Sequence, residues 1–140
     1  MRLLGIDYGD ARMGLAVCDE GEILASVHEN VNVKGINDAV TKAVSAAEKL
    51  SVKGIVVGMP LRSDGIAAQR AEKTRVFIEK LKEKTDLEIF EYDERYSTVC
   101  ASTLLNEANV KKGHKKSLLD AVSAVVILQG FIDRRKNKNI

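Results

Sequence analysis

The five residues Gly54-Ile55-Val56-Val57-Gly58 form an unbroken apolar run closed soon after by the chain's one proline, Pro60. A run this short, without polar alternation, reads as a strand covered on both faces. Only a sheet with helices packed on each side provides such cover, so the run by itself points to an α/β fold. The segments around it agree. Leu3 to Ile6, Gly14 to Cys18 and a third run beginning at Ile23 read as strands, separated by the turn signals Gly9-Asp10-Ala11-Arg12 and Asp19-Glu20-Gly21-Glu22. Turns that short make an antiparallel meander. The period then changes: Ile36, Ala39, Val40, Ala43, Val44, Ala47 and Leu50 follow helical spacing. A second helix is predicted over 67–84, with Ala71, Thr74, Ile78 and Leu81 on one face, and a fifth strand over 87–92. Ser97 or Thr98 is placed to cap a helix reaching Asn109, and Ser117 to cap a last one. The order βββ-α-β-α-β-α-α describes a single domain, residues 1–140. Its mixed five-stranded sheet combines a three-strand antiparallel meander with two parallel strands, and helices cover both faces.

At 140 residues, 45% hydrophobic and 30% charged, the chain has the balance of a soluble domain with a sizeable core. No apolar stretch reaches membrane-spanning length, and Arg2 runs straight into a strand rather than a signal peptide, so the expectation is a cytosolic protein without membrane attachment. Cys18 and Cys100 lack metal or redox spacing and sit among apolar residues. His28 and His114 stand apart from them in sequence, which leaves little basis for a Cys–His nucleophilic pair. The net charge is only +2, yet residues 111–140 hold 8 Lys/Arg against 2 Asp/Glu. Their clusters, Lys111-Lys112-Gly113-His114-Lys115-Lys116 and Arg134-Arg135-Lys136-Asn137-Lys138, suit phosphate neutralisation or a solvated loop and tail.

Three carboxylates stand out against this frame. Asp7 ends the first strand in Gly5-Ile6-Asp7-Tyr8-Gly9, Glu94 follows the fifth in Tyr92-Asp93-Glu94-Arg95, and Asp120 interrupts the apolar stretch 118–132. An acid in such a setting is costly unless a cation or hydrogen bonds compensate it. In a mixed α/β sheet, strand ends are where functional groups gather, and hard divalent cations favour carboxylate oxygens. Each acid also has a plainer role open to it. Asp7 can bond the amides of its own turn, and Asp120, three residues after Ser117, can complete a capping box. Asp93 competes with Glu94, since strand alternation sends the two to opposite faces. Gly58-Met59-Pro60-Leu61 lacks the spacing of a phosphate-binding loop, Ser97 and Thr98 read as caps, and Tyr96 as packing.

Four blocks, in order along almost the whole chain, carry a resemblance. They are Gly5-Ile6-Asp7-Tyr8-Gly9 with Arg12-Met13-Gly14-Leu15-Ala16-Val17 and Asp19; Val56-Val57-Gly58-Met59-Pro60-Leu61 with Asp64-Gly65; Asp93-Glu94-Arg95-Tyr96-Ser97-Thr98; and Lys116 with Asp120 before Ala124-Val125-Val126-Ile127-Leu128-Gln129. Together they resemble the YqgF (RuvX) family, which has an RNase H-like fold related to Holliday-junction resolvases. The family is associated with maturation of the 5′ end of precursor 16S ribosomal RNA. The resemblance implies a metal-dependent nuclease, with Asp7, Glu94 and Asp120 as catalytic and Mg²⁺- or Mn²⁺-binding residues. It makes Arg12, Arg95 and Lys116 contacts to substrate phosphate, a task that suits the planar guanidinium. Two departures, Ala11 before Arg12 where the family often has Lys, and Arg62 where a neutral polar residue is common, bear on substrate contact and leave the acids untouched. The implied partner is nucleic acid: precursor ribosomal RNA first, branched DNA second. The residues set no oligomeric state. Other readings are a DNA junction resolvase, a nucleic-acid binding module without catalysis, and an actin-like phosphate loop, which would need a second domain that 140 residues do not supply.

Overall fold

The computed structural model describes residues 1–60, 65–94 and 115–138, with 66, 67, 115–121, 137 and 138 described by backbone alone. Five strands, β1 (Leu3–Asp7), β2 (Arg12–Cys18), β3 (Ala25–Asn32), β4 (Gly54–Met59) and β5 (Glu88–Asp93), form one sheet in the order β3-β2-β1-β4-β5. β1–β2 and β2–β3 are antiparallel, whereas β1–β4 and β4–β5 are parallel, as the meander and the two crossovers require. Three helices are described: α1 (Ile36–Lys49), α2 (Gly65–Lys84) and α3 (Lys115–Lys138). Among the described residues no helix is long and apolar enough to cross a membrane.

The sheet separates two apolar layers, and strand alternation decides which side chain enters which. Leu4, Ile6, Met13, Leu15, Ile55 and Val57 face α1 and α2, meeting Ala39, Val40, Ala43, Phe77, Ile78 and Leu81. Leu3, Ala16, Cys18, Val56 and Tyr92 face α3, meeting Ala124, Ile127, Leu128 and Ile132. All six residues of β4 are buried, which is the double cover its apolar run demands. The α3 layer is thin because glycine lines it: a Cβ on Gly5 would lie 2.7 Å from Leu128 Cβ and 3.1 Å from the Ala124 carbonyl oxygen, contacts no side-chain rotation can relieve.

Two local expectations are corrected. The third strand begins at Ala25, not Ile23, and Ile23 and Leu24 are each 67% exposed. Asp19 accepts the amides of Gly21, Ile23 and Leu24 at 3.0, 2.9 and 2.8 Å, which holds these residues in the turn. Gln129 of α3 then bridges the same turn, accepting from Ala25 N at 2.8 Å and donating to Ile23 O at 3.0 Å. Ser117 is not a cap: α3 starts at Lys115, which puts Ser117 inside its first turn and Asp120 in its second, beyond reach of a capping box. The helix expected up to Asn109 lies outside the described residues.

Candidate active site at the C-terminal edge of the sheet

Asp7 is the last residue of β1 and half-buried. Alternation puts it on the α3 side with Leu3 and Gly5. It stands opposite Gly14 of β2, and the β1–β4 register, with Ile6 beside Val57, brings Gly58 level with it on the other side. The acid is thus flanked by two residues without side chains, which leaves its carboxylate room on the sheet face.

Glu94 arrives from two strands away. β4 separates β1 from β5, so the two acids lie about two strand spacings, roughly 10 Å, apart across the sheet. Glu94 closes part of that gap. The chain leaves strand geometry after Asp93, and Glu94 leans over Gly58, its Cγ 3.0 Å from where a glycine Cβ would be built. The same imaginary Cβ falls on Ile127 Cδ1 of α3, so Glu94 lies on the α3 face, the face of Asp7. Asp93, beside Met59 of the opposite layer, is directed away from it by alternation. Gly58 therefore does two things: it admits α3 to the sheet, and it gives Glu94 a floor to lie on.

Arg12 opens β2 two residues before Gly14, hence on the same face as Asp7 and at the same edge. The turn between them is tight, for a Cβ on Gly9 would approach the Arg12 carbonyl oxygen to 2.5 Å. Tyr8 points the other way and stacks on Phe77, ring centroids 4.5 Å apart at 16°, which pins the end of β1 from below. Burial raises the Tyr8 pKa, with Asp10 adding to the effect, so the phenol stays neutral.

Among the sequence-predicted site residues the described structure gathers Asp7, Glu94 and Arg12 at one edge. Asp120 is placed by backbone alone, one helical turn before Ala124, where α3 meets Gly5. Lys116 is likewise placed only on α3, and Arg95 lies outside the described residues, as do Arg62, Tyr96, Ser97, Thr98, Cys100 and His114. Among the described residues no three His, Cys, Asp or Glu form a metal-binding group. The two acids gathered here are nonetheless hard oxygen donors on one face, and Mg²⁺ commonly takes one or two carboxylates with water completing its shell. The donor set fits such an ion. Cys18 is a packing residue: its sulfur accepts the Leu3 amide at 3.3 Å, and burial holds the thiol above its ordinary pKa.

Sequence reasoning passed over Asp10 and Lys73, which pair at 2.9 Å across the turn that follows Asp7. It also missed Gly58 as a packing requirement. The glycine was visible, but its neighbours come from two distant segments.

Comparison with known proteins places this edge in context. Residues 1–134 match the sequence model of the family described as RuvX, Holliday junction resolvase. A protein of Ruminiclostridium cellulolyticum named "Putative pre-16S rRNA nuclease" is 39% identical over 135 residues, covering 96% of this chain and 95% of its own. One of the same name from Acetivibrio thermocellus is 39% identical over 137 residues, covering 96% and 97%. Among solved structures, Thermus thermophilus RuvC in complex with a Holliday junction substrate superimposes with TM-score 0.62 at 15% identity, over 97% of this chain and 96% of that one. The fowlpox virus Holliday junction resolvase does so with TM-score 0.59 at 8% identity, over 96% and 99%. At these identities the structural likeness speaks for the fold, which is that of the RNase H-like resolvases.

Proposed function

The chain belongs to the RuvX family, and from that membership we propose that it is a cytoplasmic nuclease hydrolysing phosphodiester bonds of precursor 16S ribosomal RNA during 5′-end maturation. The observation that carries the reading is the placement of Asp7 and Glu94 on the same face of the sheet edge, on either side of Gly58, with Arg12 at that edge. The relatives that match nearly end to end supply the substrate class.

In this reading Asp7 and Glu94, joined by Asp120 from α3, hold Mg²⁺ or Mn²⁺. When bound, the ion lowers the pKa of a water molecule and stabilises charge on the departing oxygen. The protein's own work is placement. Asp7 is fixed by β-sheet pairing on one side and by the Tyr8–Phe77 stack directly behind it, and Glu94 by the floor at Gly58. Such rigidity matters because misplacement of a reacting group by ~1 Å can cost on the order of a hundredfold in rate. Arg12, Arg95 and Lys116 donate to non-bridging phosphate oxygens and so hold the strand across the edge. No side chain acts as a nucleophile, and no covalent enzyme intermediate forms.

The test is cleavage of a precursor 16S RNA fragment by the wild-type protein and Asp7→Asn, with and without EDTA. Loss of cleavage in both arms is expected, and cleavage that survives both sinks the metal-and-acid mechanism. The family's description and the resolvase fold favour one rival, a DNA junction resolvase. A four-way DNA junction assayed beside the RNA separates them: cleavage of the junction alone would transfer the assignment to DNA. Binding without cleavage of either substrate would favour a non-catalytic module.

A further inference from the structure

The turn that leads from Asp7 to Arg12 has a second side. Arg70 and Lys73 stand one turn apart on α2, and the fold brings both against this turn. With Tyr8, Gly9, Asp10 and Thr74 they line a depression of about 90 Å³. That is room for a few waters, or for one small oxyanion open to solvent on one side. Lys73 Nζ bonds Asp10 Oδ2 at 2.9 Å, while both side chains remain more than half exposed, at 55% and 67%. Among the described residues no carboxylate pairs with the exposed Arg70 guanidinium. Two cations thus face one anion, and the depression is positive on balance. The hydrogen bond that Lys73 donates to Asp10, followed by the charge of that carboxylate, raises the Lys73 pKa and keeps the amine protonated. Asp10 follows Asp7 by three residues, so at most ~11 Å of chain separates the depression from the acidic edge.

We infer that Arg70 and Lys73 hold a backbone phosphate of the substrate strand beyond the scissile one, on the far side of the β1–β2 turn from the acids. The inference rests on the nuclease reading and extends it to a strand that wraps the turn rather than ending at the edge. Asp10 occupies Lys73 until the phosphate arrives; a phosphodiester carries the same single negative charge as the carboxylate, and it displaces Asp10 because it engages Arg70 and Lys73 together. A contact of this kind fixes register and orientation without reading bases.

The experiment is equilibrium binding of the precursor-RNA fragment across a salt series. Each phosphate neutralised on a single strand contributes about 0.7 to the slope of log K against log salt. Arg70→Gln/Lys73→Gln is expected to raise Kd several-fold and to reduce the slope by about 0.7, while Arg70→Lys retains the wild-type slope. Asp10→Asn, which frees Lys73, is expected to tighten binding. Lys80→Gln/Lys84→Gln removes two charges from the far end of the same helix and leaves the slope nearly as in wild type. An unchanged slope in the first variant, an equal drop in the last, or weaker binding by Asp10→Asn would each overturn the subsite. Circular dichroism of each variant guards against misfolding. The two readings fail separately: RNA cleavage that survives Asp7→Asn refutes the acid site, whereas normal cleavage with an unchanged slope in Arg70→Gln/Lys73→Gln refutes only the phosphate subsite.

Discussion

Gly58→Ala tests packing and chemistry with one methyl group. The added Cβ would lie 3.0 Å from Glu94 Cγ and against Ile127 Cδ1. Ordinary carbon contact begins near 3.4 Å, so Glu94 must withdraw by at least 0.4 Å (3.4 less 3.0), and more if Ile127 pushes from behind. Overpacking a tight core site costs about 1–3 kcal/mol, a fall visible in a urea unfolding midpoint. If Glu94 holds the metal as proposed, moving its carboxylate by a fraction of an ångström should slow the chemical step by about ten- to a hundredfold, or ~1.4–2.7 kcal/mol of barrier. Ile127→Val separates the two effects because it deletes the offending Cδ1. Alone it should cost ~0.5–1.5 kcal/mol. In the Gly58→Ala background it should restore part of the lost stability, since Ile127 Cγ1, also 3.0 Å from the added Cβ, remains; such non-additivity is expected of residues in contact. Activity should stay low in the double variant, since Glu94 is still displaced. The assay is single-turnover cleavage of the RNA fragment at saturating protein, alongside urea titrations of all four proteins. A stable, folded double variant cleaving at the wild-type rate would show that the position of Glu94 over Gly58 has no part in catalysis.

Two further predictions concern what holds the edge in place. Phe77→Ala, at a side chain with no solvent exposure that is stacked on Tyr8, should destabilise the protein by ~3–5 kcal/mol in urea unfolding. A loss under ~1 kcal/mol would mean that the stack does not anchor the end of β1. Asp19 has its pKa lowered by the amides of Leu24 and then Ile23. A depressed folded-state pKa stabilises the fold above the unfolded value of ~3.9, and that stabilisation is lost as pH falls through the folded value. Thermal melts from pH 6 to pH 2.5 should therefore decline less steeply at the acid end for Asp19→Asn than for wild type, and identical profiles would contradict the role given to those hydrogen bonds.

What the sequence made legible was periodic. The continuous run 54–58, the helical spacing from Ile36 to Leu50 and the short turns of the meander each express a local rule, and the structure follows them. The misplaced elements were those decided by distant partners. Ile23 and Leu24 look like the start of a strand until Gln129, more than a hundred residues on, ties down their turn. Ser117 has the chemistry of a cap, yet α3 begins before it. At the site, strand alternation is enough to put Asp7 on one face and to set Glu94 against Asp93. That Glu94 would rest on Gly58, and that Lys73 would reach Asp10 across 63 residues, depends on the order of strands in the sheet and the seating of α2. No local pattern encodes either.

The central claim is that the acids at this edge bind the ion that makes cleavage possible. Its most direct test is a Mg²⁺ titration of single-turnover cleavage of the precursor 16S RNA fragment by wild type and Asp7→Asn, at equal and saturating bound RNA. Wild type should rise from no cleavage to a plateau, while Asp7→Asn binds the RNA but cleaves at least about a hundredfold more slowly at any Mg²⁺ concentration. Superimposable titration curves for the two proteins would contradict the account.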